Sequence, residues 1–210
     1  MMQITELWFS RDPGAWDDAV ERYWSRVPRQ NEALERSLDR LDLERLRRLD
    51  ARGWYIFLRD EYFLWKYTDA RRLKTTRNHL QRYEDEGKLD DLDQIRKRLL
   101  TLDTEDVRSA LEVAKRIHGL GPPGASGLLA LMYPHKFGTV DQFVVKALRQ
   151  VNGLPEAEAV AQMKPDRLRI EDAEQLIRIL QKKADENNRA FHSDAWTPRK
   201  VDMVLWIYRR

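Results

Sequence analysis

"IHGLGPPGASGLLALMYPHKFGTVDQF", Ile117 to Phe143, breaks the helical texture of the rest of the chain. It follows a run, Glu105 to His118, in which Val107, Leu111, Ala114 and Ile117 recur on one helical face. Gly119 stops that helix, because the residue past a helix end often needs positive φ and glycine takes it at no steric cost. Gly121 is read as completing a tight turn. Pro122 and Pro123 suit the first turn of a new helix, where a missing N–H is no loss. That helix, Pro122 to Met132, carries Gly124, Ala125, Ser126, Gly127 and Ala130, so a neighbour can approach closely. The stretch therefore predicts two helices joined by a glycine hairpin. Amides at Gly119, Leu120, Gly121, Gly124 and Ala125 converge there on a point suited to a phosphate.

Helical spacing continues on both sides. Ala15 to Val27, Asn31 to Leu49, Gly53 to Tyr67, Ala70 to Tyr83 and Leu89 to Leu100 place apolar residues three or four apart, as do Gln142 to Val151, Ile170 to Asn188 and Pro198 to Tyr208. Thr104 and Thr68-Asp69 offer N-caps, and Asn152-Gly153 a stop. No stretch alternates with a period of two, so the fold class is all-α, with about ten helices. Ala190 to Thr197 and the acidic turn at Glu84 to Gly87 read as the least compact segments.

Composition limits the chemistry. The 210 residues can bury a sizeable core, and seven Trp, seven Tyr and six Phe supply its bulk. The absence of cysteine excludes disulfides and thiolate chemistry, and the four His lack metal spacing, so no metal or other cofactor is expected. No apolar run reaches membrane-spanning length, and Met1-Met2-Gln-Ile-Thr-Glu does not resemble a signal peptide, which predicts a cytoplasmic protein with no membrane partner. Net charge is +3, permissive for an anionic partner. Glu35 to Asp50 mixes both signs and reads as a salt-bridged amphipathic helix. Lys66 to Arg82 carries six Lys/Arg, among them Arg71, Arg72 and Lys74, against one Asp. It is read either as a grip on phosphates or as a solvated basic face.

Gly119-Leu-Gly121, the small residues after it, and Val140-Asp141 resemble the helix-hairpin-helix DNA glycosylase superfamily. Trp65-Lys66-Tyr67, Pro122 to Ser126, Tyr133-Pro134 and Thr197-Pro-Arg-Lys-Val-Asp202 look closest to bacterial proteins with the 8-oxoguanine DNA glycosylase fold. The resemblance covers about Gly53 to Arg210, so a glycosylase-like region, 51–210, is expected behind an N-terminal helical extension, 1–50. It implies double-stranded DNA as partner, held by the hairpin, Lys115 and the Arg71, Arg72, Lys74 patch. Asp141 would then face the sugar of an extruded nucleotide, stabilising the developing cation or activating water. Read from the residues alone, Asp141 is equally an N-cap for the helix after it. Trp65 and Phe143, with Lys66, are candidates for a base pocket; core packing for Trp65 and a snorkelling Lys66 are the plainer readings.

The resemblance also marks a departure. Superfamily members that nick the backbone form a Schiff base through a lysine two residues past the second hairpin glycine, and that slot is Pro123. A monofunctional glycosylase is therefore implied, leaving an abasic site. Hairpin carbonyls in the family hold a monovalent cation, which here falls on Lys115, Ile117 and Leu120. Lys136 is a conceivable replacement amine. A non-enzymatic DNA-binding protein and a protein-interaction module of the same fold remain as alternatives.

Overall fold

A computed structural model describes residues 2–209, and no β-strand occurs among them. The helices run α1 (Ile4–Phe9), α2 (Pro13–Arg26), α3 (Arg29–Asp39), α4 (Leu43–Arg47), α5 (Ala51–Ile56), a π-helical segment (Phe57–Tyr62) and α6 (Phe63–Lys66). They continue with α7 (Ala70–Asp85), α8 (Leu89–Leu99), α9 (Val107–Lys115), α10 (Pro122–Met132), α11 (Gln142–Leu148), α12 (Ala157–Gln162), α13 (Ile170–Phe191) and α14 (Pro198–Ile207). The all-α expectation holds, and α10 starts and ends where its sequence predicts.

Several boundaries differ, each for a local reason. The helix expected over Asn31 to Leu49 is broken, because the Asp42 side chain accepts from the Glu44 amide at 2.9 Å and starts α4 afresh. Asp106 rather than Thr104 caps α9. The short α1 and α12 were not expected, since six residues are too few to display a period. Ala190 to Thr197 is pinned rather than loose: Asn188 brackets Trp196 with bonds of 2.9 and 2.8 Å, and Trp196 is buried beside Trp16.

The core is organised around α10. Every residue from Gly124 to Met132 is buried, as suits a helix apolar on all sides, and α9, α13 and α14 pack against it. One hydrophobic cluster runs from Ile4 to Tyr208 and crosses residue 50 without a break; Trp16, Leu38 and Leu46 belong to it as fully as Leu128 does. The N-terminal helices thus cover the rest, with α2 lying on α14.

Two backbone features position the residues around Asp141. α5, the π segment and α6 form one continuous rod, and the wider π turn rotates the residues after it relative to an unbroken α-helix. At Gly138 an added Cβ would stand 2.5 Å from Leu180 Cδ1 and 2.6 Å from the Pro198 carbonyl oxygen. Only glycine lets the chain pass between α13 and α14 on its way to Asp141.

Candidate functional site

The segment leading to Asp141 is clamped from two sides. The Thr139 amide donates to Asp202 Oδ2 at 2.6 Å, and the Val140 amide to Ser126 Oγ at 3.0 Å. Asp141 itself is extended, with φ −152°, and Oδ1 accepts the Phe143 amide at 2.9 Å, capping α11. Its other oxygen, Oδ2, faces Lys66 Nζ at 3.3 Å. The cap therefore uses one oxygen and leaves the other toward Lys66.

Lys66 does not snorkel to solvent. Its side chain is 9% exposed and its stem lies along Gly127, where a Cβ would come within 3.2 Å of Lys66 Cδ. A small residue in α10 makes room for a lysine from α6, and the rotation imposed by the π turn aims it inward.

Two recesses meet at this pair. One, of about 290 Å³, lies between α2–α3 and α6, α11 and α14; Tyr23, Trp65, Phe143 and Trp206 line it together with Asn31 and Leu64. The other, of about 440 Å³, runs along the hairpin past Gly119, Gly121, Pro123, Arg72 and Asp166. Lys66, Thr68, Asp141 and Phe143 border both. Asp141 is thus the ridge between an aromatic cleft and the hairpin groove. Trp65, Lys66 and Phe143, expected as a base pocket, come together on the cleft wall; Trp65 is half-buried, with Arg199 over its ring at 5.2 Å.

The cleft floor is a buried polar network that the sequence did not disclose. Glu35 Oε1 accepts from Tyr23 Oη and from Arg199 Nη2 at 3.0 Å, and Glu35 Oε2 accepts from Trp65 Nε1 at 2.6 Å. Arg199 Nη1 donates to Asp202 Oδ1 at 2.8 Å. Glu35, Arg199 and Asp202 are all buried, so one guanidinium serves two carboxylates. Thr139 Oγ1 and Arg199 Nε, also buried on residues lining this cleft, find no partner among the described residues. Burial pushes the Asp202 carboxyl up to about 7, against the pull of Arg199, the Thr139 amide and Lys66. Burial likewise drives the Tyr23 hydroxyl far above its ordinary value.

This network gives stability a pH signature. The folded protein holds a proton on Asp202 that the unfolded chain releases near 3.8, so stability from this group is present at low pH and is lost as pH rises toward about 7. Chemical denaturation of the wild type and of Asp202→Asn across that window checks it. The wild type should lose ground to the variant between those values and hold level above them.

The hairpin itself is only partly as expected. Gly119 has φ 92°, and a Cβ there would meet Thr76 at 3.0 Å, so glycine is required twice over. Gly121, with φ −87°, ends the turn as the N-cap of α10. The Leu120 and Ala125 amides are consumed by the Ile117 and Gly121 carbonyls, leaving Gly119, Gly121 and Gly124 as the donors without a backbone partner among the described residues. The Ile117 carbonyl, one of three expected to hold a cation, accepts the Leu120 amide at 3.1 Å. Among the described residues no cluster of three potential ligands could hold a metal, and no helix is long and apolar enough to cross a membrane.

Of the basic residues, Arg72 borders the hairpin groove, while Arg71 and Lys74 are exposed on the same helix and Lys115 on the last turn of α9. None of the four has a carboxylate partner among the described residues, in contrast to Arg36, Arg45, Arg47, Arg52 and Arg108. Lys136 pairs with Glu105 on the surface and borders neither recess. No family model, curated protein or solved structure matches this chain.

Proposed function

We propose that the chain binds duplex DNA and hydrolyses the N-glycosidic bond of an extruded nucleotide, with Asp141 as the catalytic carboxylate. The observation that carries this reading is the ridge: one carboxylate borders both an aromatic cleft and the groove along a glycine hairpin. A backbone phosphate held by the hairpin amides and Arg72 would leave the sugar over Asp141 and the base in the cleft. Trp65, Tyr23, Phe143 and Trp206 offer aromatic surface to a heterocycle. As the bond to the base breaks, positive charge grows on the sugar; a fixed carboxylate stabilises it or takes a proton from the attacking water. The hairpin supplies no amine at Pro123, so hydrolysis alone yields an abasic site.

The first test is binding. Arg71, Arg72, Lys74 and Lys115 as phosphate contacts give a slope of log affinity against log salt of about −3.6, or about 100-fold weaker binding between about 50 and 200 mM salt. Fluorescence anisotropy with duplexes of unrelated sequence should give that slope in each, and a flat salt response would remove DNA as the partner. Excision is then read on duplexes carrying single damaged or modified bases, as alkali-labile sites that form with the full chain. A panel showing tight binding but no such sites would leave a binding protein without the chemistry.

A further inference from the structure

We infer that Glu35 is a positioning residue for the Asp141–Lys66 pair, so that the N-terminal helices set the geometry of the ridge as well as covering the core. The inference rests on the reading of Asp141 as the catalytic carboxylate. It assigns a role within 1–50, the segment that the glycosylase resemblance leaves out.

Two separate paths lead from Glu35 to the ridge. Along the first, Oε2 accepts the Trp65 indole N–H at 2.6 Å, and the next residue of α6 is Lys66. Along the second, Oε1 accepts from Arg199 Nη2 at 3.0 Å, and Arg199 Nη1 donates to Asp202 Oδ1 at 2.8 Å. Asp202 Oδ2 then accepts the Thr139 amide at 2.6 Å, two residues before Asp141. The paths close on each other where Lys66 Nζ meets Asp141 Oδ2 at 3.3 Å. Glu35 thus stands opposite the ion pair in one ring of contacts that joins α3, α6, α14 and the segment before α11. Each member of the pair is approached from one oxygen of the same carboxylate.

Packing alone does not call for a glutamate here. Glu35, Arg199 and Asp202 are 8%, 5% and 4% exposed, and apolar side chains of similar volume hold a helix against its neighbours as well as a buried ion pair does, or better. What an apolar residue lacks is direction. The two oxygens of Glu35 receive three donors from three elements, Tyr23 of α2, Trp65 of α6 and Arg199 of α14, and so fix α6 relative to α14. Glu32, one turn earlier on α3, does nothing of the kind and pairs with Arg36 on the exposed face. The placement of Asp141 matters to chemistry on that scale, because a shift of about 1 Å at a reacting group can lower a rate about 100-fold.

The test compares Glu35→Gln with the wild type in the full chain, and with Arg36→Met as the control on the same helix. Glutamine keeps the shape, but its single oxygen cannot accept along both paths. In the free protein, amide hydrogen exchange at Thr139 and Phe143, the amides bonded to Asp202 and Asp141, should quicken by more than about tenfold relative to the amides of α8, which lie outside the ring. On a responsive duplex the single-turnover excision rate should fall by about 10- to 100-fold while affinity for the duplex stays within about twofold. With Asp141→Asn already in place, Glu35→Gln should lower the residual rate by less than about twofold, since no carboxylate remains to be positioned. Arg36→Met should change none of these.

Unchanged exchange at both amides overturns the inference. So does exchange that rises equally in α8, which marks a general loss of stability, and so does a rate loss that persists in full beside Asp141→Asn. A wild type that excises nothing sinks the catalytic reading of Asp141, and the two amides then decide by themselves whether Glu35 holds its loop. If Glu35→Gln does not fold, Glu35→Asp, which keeps the charge but shortens the reach, is judged by the same readouts.

Discussion

On the proposed function, Asp141→Asn should lower base excision by at least about 100-fold while the helix it begins stays in place. Asparagine has the same shape and is about as good an N-cap, so its side-chain oxygen continues to accept the Phe143 amide. What is lost is charge. The oxygen facing Lys66 becomes neutral or an amide donor, unable to stabilise positive charge on the sugar or to receive a proton. Unpairing Lys66 adds a stability cost on the order of 1 kcal/mol, more than a cap swap alone would give. Single-turnover excision on a responsive duplex, with the melting temperature measured alongside, separates these effects. An unchanged rate in a folded variant would put the chemistry at another residue.

Arg199→Met should be the most destabilising change in the site, at about 3–5 kcal/mol. The arginine is 5% exposed and is bonded to both Glu35 and Asp202. Methionine fills part of the volume but leaves two carboxylates and the Tyr23 hydroxyl facing one another on the cleft floor. Against a total stability of roughly 5–15 kcal/mol, that loss approaches unfolding. Its size should depend on pH: in the wild type Arg199 helps hold the Asp202 carboxyl down to about 7, and without it the carboxyl keeps its proton to higher pH, so repulsion between two charged acids develops on the alkaline side of that value. Urea denaturation on either side of that value should show the larger deficit on the alkaline side. Arg36→Met, which breaks an ion pair whose partners are 46% and 42% exposed, serves as the internal control and should cost no more than about 1 kcal/mol. Equal effects from the two substitutions would mean that the buried network carries no special weight.

The hairpin and the all-helical class were legible because both are written locally: a glycine with positive φ, two prolines at a helix start, and apolar residues at helical intervals. Asp141 and its cap were legible for the same reason. Trp65, Lys66 and Phe143 could be named one by one, but not the pairing of Lys66 with Asp141, which lies 75 positions away in the chain. Glu35 was hidden more thoroughly. It sits in a stretch where charges of both signs repeat at helical spacing, and that pattern reads as a solvated face; its burial depends on Arg199, 164 positions on. Arg199 and Asp202 fall one turn apart behind the Thr197 cap, and an acid–base pair at the start of a largely apolar helix was the signal that could have exposed the network. Gly121 was expected in the turn, but its place as the N-cap of α10 was not anticipated.

The π turn between Phe57 and Tyr62 sets how such a site can arise and be lost. It holds one residue more than an α-helical turn accommodates, and each residue of an α-helix advances the next by about 100°. Removing a single codon there would restore the regular helix and swing Trp65 and Lys66 together off the cleft, without altering either side chain. The lysine's access to Asp141 is therefore stored as a count of residues upstream. A lineage can break or restore that pairing by an insertion or deletion that never touches either residue.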